Sequence, residues 1–105
     1  MNAGELRHRI TFQRRGTDPT TGGFTDWVDY ATVWAKVEDL SGRDYIQAQM
    51  LGQASLVTTR ITIRWRPDID PHMRVRAGSR TFDVKAVLDP DGRRRWLQLM
   101  CAEAR

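Results

Sequence analysis

Between Thr58 and Ala102, apolar residues fall on alternate positions in short runs, and each run ends at glycine, proline or aspartate. That period of two limits the chain more than any other feature. Successive side chains on a strand point to opposite faces, so each run reads as a strand with one buried and one wet side. In "TTRITIRWRP", Ile61, Ile63 and Trp65 alternate with Arg60, Arg64 and Arg66. The reading is a strand over Leu56–Arg66, with the isoleucines and Trp65 in the core and the three arginines outside. "PDIDP" stops it, because proline cannot donate to a ladder.

Three more strands follow within "MRVRAGSRTFDVKAVLDPDGRRRWLQLMCAEA". Ala77-Gly78-Ser79 gives a tight turn. Phe82, Val84, Ala86 and Leu88 alternate cleanly, and Leu97, Leu99 and Cys101 share the core face of the last strand. Asp89-Pro90-Asp91-Gly92 is a reverse turn, its aspartates suited to backbone hydrogen bonds. Earlier, Ile10 and Phe12 alternate with Thr11 and Gln13. "GTDPTTGG" is a loop. Phe24–Glu38 reads as one or two strands with an irregularity near Asp29, placing Val33, Ala35 and Val37 on one face and Trp34, Lys36 and Glu38 on the other.

Ser41–Gln53 breaks the pattern. It is rich in helix formers, with Ser41 as a candidate N-cap and Ile46–Met50 as an i, i+4 pair. Three glutamines in this stretch, with Gly42 and Gly52 near its ends, suggest a short helix or a mobile insertion. The expected fold is mainly β: a small antiparallel barrel or sandwich of about six strands with one short helix or flexible insertion, in one domain over 1–105.

Composition narrows the function. The chain has 105 residues and a net charge of +4, and all but two of its 17 basic residues are arginine. Arginine presents a planar fork to phosphate and carboxylate. No apolar run is long enough for a membrane helix, and the N-terminus lacks a secretory apolar stretch. A single cysteine, Cys101, forms no internal disulfide and fits a reducing cytoplasm. His8 and His72 stand in no metal spacing, no nucleophile has a histidine beside it, and no phosphate-binding glycine loop is present. The expectation is no enzyme, no metal, no cofactor and no membrane partner. Direct nucleic-acid binding stays open, since Arg60, Arg64 and Arg66 share a strand face and Arg93, Arg94 and Arg95 follow a turn.

The order of four blocks then matters more than any one motif. "GELRHRITFQRR" comes first. "GGFTDWVDYATVWAKVEDLSGRD" follows, then "TTRITIRWRPDIDPHMRV" and "FDVKAVLDPDGRRRWLQLMC". Together they resemble the bacteriophage head-tail joining proteins, also called head closure, stopper or head-tail adaptor proteins, from Gly4 to about Ala102. Arg60 departs from the histidine that family often carries there. The resemblance implies a structural virion protein, assembled in the host cytoplasm as a ring, commonly twelve-fold. The ring sits beneath the portal and adaptor, closes the channel over the packaged DNA and docks the tail. It also implies a gate-like loop at about residues 40–55, with Arg43, Asp44, Tyr45, Gln47 and Gln49 as candidate gate or assembly contacts. Arg60, Arg64, Arg66, Arg93, Arg94 and Arg95 become candidate interface or DNA-facing residues. A DNA-binding barrel and a tail-completion protein remain the alternatives.

Overall fold

The computed structural model describes residues 3–40 and 58–104. They form a 3-10 turn, Ala3–Glu5, and six strands: β1 (His8–Thr17), β2 (Phe24–Asp39), β3 (Thr59–Arg64), β4 (Arg74–Ala77), β5 (Arg80–Leu88) and β6 (Trp96–Ala104). All pairings are antiparallel, and the sheet closes on itself in the order β1-β2-β3-β6-β5-β4. The barrel, not the sandwich, is the fold. The expected helix or insertion, Ser41–Gln53, lies outside the described residues.

The alternation seen in the sequence builds the core. Ile10, Phe12, Ala35, Ile61, Ile63, Val75, Phe82, Leu99 and Cys101 are fully buried, with Val84 and Leu97 nearly so. Val33 and Val37 pack against this cluster from β2, as their phase predicts. Trp65 is only half-buried at its edge, because β3 ends at Arg64. Trp65 still donates its backbone N–H to Arg95 O at 3.0 Å. Arg66 therefore lies past the strand and does not share a strand face with Arg60 and Arg64.

Three register shifts correct the reading of simple alternation. Phe12 pairs with Ala31 and Gln13 with Asp29, so Tyr30 is the extra residue on β2. That is the irregularity expected near Asp29. Near the tip of the same pair, Arg15 pairs with Trp27 but Thr17 with Phe24, so β2 carries one more extra residue there. The shift in β5 was not foreseen either. Val84 pairs with Cys101 but Ala86 with Met100, which leaves Lys85 unpaired. The insertion moves Val87 to the core and turns Ala86 and Leu88 outward. There they join Met100 and Leu40 in a second, outer cluster. Phe82, Val84, Ala86 and Leu88 thus do not form one face.

The two ends of the barrel differ. At one end lie Ala3–Glu5, the end of β6, and the neck of the segment between β2 and β3, tied by Leu40 N–H to Thr58 O at 3.0 Å. Arg80 spans this end. It donates to Asp39 Oδ1 at 2.7 Å and to both Glu103 oxygens at 2.8 and 3.1 Å, and its guanidinium sits 4.9 Å from the Phe82 ring centroid. This ion cluster caps the core. At the opposite end, β1 and β2 run on together as a two-stranded arm to the Thr17–Phe24 pair.

Candidate interaction surfaces

The arginines sort into two classes by what they touch. Arg60 donates to both oxygens of Glu38, its cross-strand partner, at 3.4 and 3.2 Å. Arg66 grips Asp68 with two hydrogen bonds at 3.0 and 2.8 Å, and Tyr30 Oη donates to the same carboxylate at 2.7 Å. Those bonds hold the Asp68 carboxyl well below its ordinary range, the Arg66 contact first, and the bond to Asp68 raises the Tyr30 hydroxyl. Arg80 holds Asp39 low in the same way. These arginines have their charge matched within the chain.

The second class stacks on rings. Arg9 lies 5.0 Å from the Trp34 centroid, Arg14 4.9 Å from Tyr30, and Arg15 5.1 Å from Trp27. Arg74 covers Trp27 at 4.6 Å, and Arg64 and Arg94 lie over Trp96 and Trp65 at 5.6 and 5.5 Å. None of the six has an ion-pair partner among the described residues. A stacked guanidinium is held in place while its in-plane N–H groups stay available, except in Arg74, whose Nε and Nη2 donate to Gln13.

They form two patches. The smaller gathers Arg64, Trp65, Arg94, Arg95 and Trp96 around a cleft of about 450 Å³. β3 supplies Arg64 by its cross-strand pair with Trp96, and the turn after β5 supplies the arginines opposite. Asp89 and Asp91 shape that turn by accepting the Arg94 and Arg93 backbone N–H groups, the role their spacing predicts. Arg94 takes a φ of 57°, which the Asp89 bond helps to hold. Of the six arginines singled out in the sequence, Arg64, Arg94 and Arg95 meet here. Arg93 is exposed on the same turn, whereas Arg60 and Arg66 are matched elsewhere. Arg43, Asp44, Tyr45, Gln47 and Gln49 lie outside the described residues.

The larger patch is the arm, which sequence reasoning missed. Phe24, Val28, Tyr30 and Trp34 are the large exposed hydrophobics of the described chain, at 76%, 58%, 39% and 51% accessibility, and all belong to β2. Arg9, Arg14 and Arg15 face them from β1. A cleft of about 540 Å³ opens beside the arm between Arg14, Arg15, Phe24, Trp27, Asp70, His72 and Met73. Under its rim Gln13, expected on the wet face, is buried. Its amide donates to Asp29 Oδ1 at 2.8 Å, and its carbonyl oxygen accepts two bonds from Arg74. The aromatic and β-branched run of Phe24–Trp34 held the signal. It merges in the sequence with the core-facing Val33–Val37 phase, which masks it.

Cys101 is fully buried, and burial pushes its thiol up to about 12. Its Sγ donates to Leu99 O. It is a packing residue. Among the described residues, no group of three or more His, Cys, Asp or Glu side chains could hold a metal ion.

The described residues thus form a closed barrel with aromatic–arginine patches on its outside. The comparisons with known proteins give that class a family. Residues 1–104 match the phage head completion proteins, and the chain belongs to that family. Its role is structural, in completing the virion head. The fold is similar to the solution structure of protein SF1141 from Shigella flexneri 2a, with 32% identity, a TM-score of 0.76, and coverage of 99% of this chain and 97% of that one. A chain in the virion of a native gene transfer agent particle shares the fold at 23% identity and a TM-score of 0.60, over 94% of this chain and 96% of that one. No curated protein sequence matches.

Proposed function

We propose that the chain joins head to tail by assembling as a ring of copies, commonly twelve-fold, beneath the portal or adaptor, closing the channel over packaged DNA and docking the tail. The observation that carries this reading is the arm. A chain that lines one strand with Phe24, Val28, Tyr30 and Trp34 in the open has a surface meant to be covered. Rings need two different surfaces on each copy. Within the segment between β2 and β3, Arg43, Asp44, Tyr45, Gln47 and Gln49 are the proposed gate contacts. Arg64, Arg93, Arg94 and Arg95 are the proposed DNA-facing group, and their lack of matched carboxylates supports them over Arg60 and Arg66.

Deleting the chain from the particle that encodes it tests this reading. The expected result is DNA-filled heads that lose their DNA and carry no tail. Tailed, infectious particles without the chain would overturn it. Tails that stop short, on intact closed heads, would favour the tail-completion alternative.

A further inference from the structure

The barrel closes, but the arm does not. β2 pairs with β3 only from Ala35 to Asp39, so the outer edge of Phe24–Trp34 has no ladder among the described residues. β1 pairs with β4 only over Thr11–Gln13, so the outer edge of Arg14–Thr17 is also open. Each copy therefore carries two unlike free edges, on opposite sides of one ribbon. Free edges recruit strands, and natural proteins blunt them with lysine, proline, bulges or short length. β2 is 16 residues long and, over Phe24–Trp34, holds no lysine and no proline; its irregularities at Tyr30 and next to Phe24 leave the straight run Trp27–Asp29 as the part of the edge open to a partner.

We propose that the β2 edge of one copy pairs with the β1 edge of the next, so that the arms form a continuous antiparallel sheet around a ring. This inference rests on the ring reading for its setting. Three observations select a second copy as the occupant. First, β1 and β2 run in opposite directions within the arm. Rotation about a ring axis keeps each strand's direction, so the β2-to-β1 contact between copies is antiparallel in turn. Second, the chemistry repeats. Inside one arm, Arg14 and Arg15 of β1 stack on Tyr30, Phe24 and Trp27 of β2. A neighbour's β1 brings the same arginines to the same strand from its other side. Third, Asp26 is exposed on β2 with no ion-pair partner among the described residues, and it gives those arginines a carboxylate to meet. Because the two edges differ, the contact is head-to-tail and closes by rotation. Addition of a strand to an open edge supplies backbone hydrogen bonds, and the aromatic rings supply the burial.

Two experiments on the full chain test the pairing. Thr17→Cys and Val28→Cys are made in separate chains, each also Cys101→Ser, then mixed and oxidised. The expected product is the mixed dimer, bridged from position 17 of one chain to position 28 of the other, in at least tenfold excess over either symmetric dimer. A dominant symmetric dimer bridged through position 28 would mean an isologous pair and overturn the ring of arms. In sedimentation, Phe24→Lys/Val28→Lys weakens self-association at least tenfold, with the barrel's amide NMR spectrum retained. Should the double variant lose its fold, Val28→Lys alone serves. No self-association by the unaltered chain at millimolar concentration would also overturn the pairing. If self-association is unchanged but the lysine variant is excluded from particles, the edge takes a strand from another virion protein, and the pairing between copies falls. Particles that still need the chain, without the cross-link, would leave the head-joining function standing. The cross-link without any need for the chain would do the reverse.

Discussion

At the residue scale, what a side chain is bonded to decides its use more than its type. Fifteen arginines look alike in the sequence. Arg60, Arg66 and Arg80 are matched to carboxylates, whereas Arg14, Arg15 and Arg94 sit on rings. The matched set leaves a signature in acid. Asp68 and Asp39 titrate below an unfolded aspartate near pH 4. A carboxyl lowered by folding contributes stability above the unfolded value and loses it as pH falls through the folded one. Urea midpoints measured from pH 5 down to 2 should therefore fall most below pH 4. In Asp68→Asn that fall should be shallower. Cys101 gives a second outcome. A thiol raised to about 12 and fully buried is not a thiolate at pH 8. A thiol-reactive chromophore should leave it unmodified in the folded protein and label it fully in denaturant. Prompt labelling without denaturant would show that the core opens at β6.

Elements were legible where the alternation runs unbroken and obscured where it does not. Ile10–Phe12, Ile61–Ile63 and Leu97–Cys101 keep the phase of the core, so period two predicted them, although Thr62 and Met100 are buried on the other face. The same rule failed at Phe82–Leu88, because alternation does not register one extra residue. Lys85 changes the face of everything after it, and only the partner register shows this. Gln13 was misplaced for a related reason: polarity predicted water, while Asp29 and Arg74 bury it by satisfying it. The arm was missed because an exposed apolar strand and a buried one read alike. Turns were more reliable, since their conformations select residue types. Gly78 joins β4 to β5 at φ +63°, a left-handed geometry glycine adopts freely. A Cβ there meets nothing within 4 Å, so the cost of alanine is conformational alone. Gly78→Ala should lower unfolding stability by about 1 kcal/mol, read from urea melts, without changing the fold.

At the scale of the whole molecule, the described barrel closes on itself beneath the segment that interrupts it. The neck of residues 41–57 is tied by Leu40 to Thr58, and β2 and β3 pair directly below it through Asp39–Thr59. The Arg80 cluster and the buried core around Ile61 and Leu99 complete this end of the barrel within the described residues. Loop closure costs little more for a long loop than a short one, about 0.6 kcal/mol per doubling of length. Replacing 42–56 by a Gly-Ser linker of equal length should therefore leave the barrel's amide spectrum in place and shift Tm by only a few degrees. By contrast, Phe12→Ala removes a fully buried ring next to the β1–β4 seam that closes the barrel. That change should cost about 3–5 kcal/mol, much of the margin of a domain this size. The linker variant then separates folding from assembly. If Arg43, Asp44, Tyr45, Gln47 and Gln49 act as gate contacts, it folds and self-associates through the arm, yet heads that carry it fail to retain DNA. If such heads retain their DNA, closure belongs to the barrel itself, and Arg64, Arg94 and Arg95 become the residues to change next.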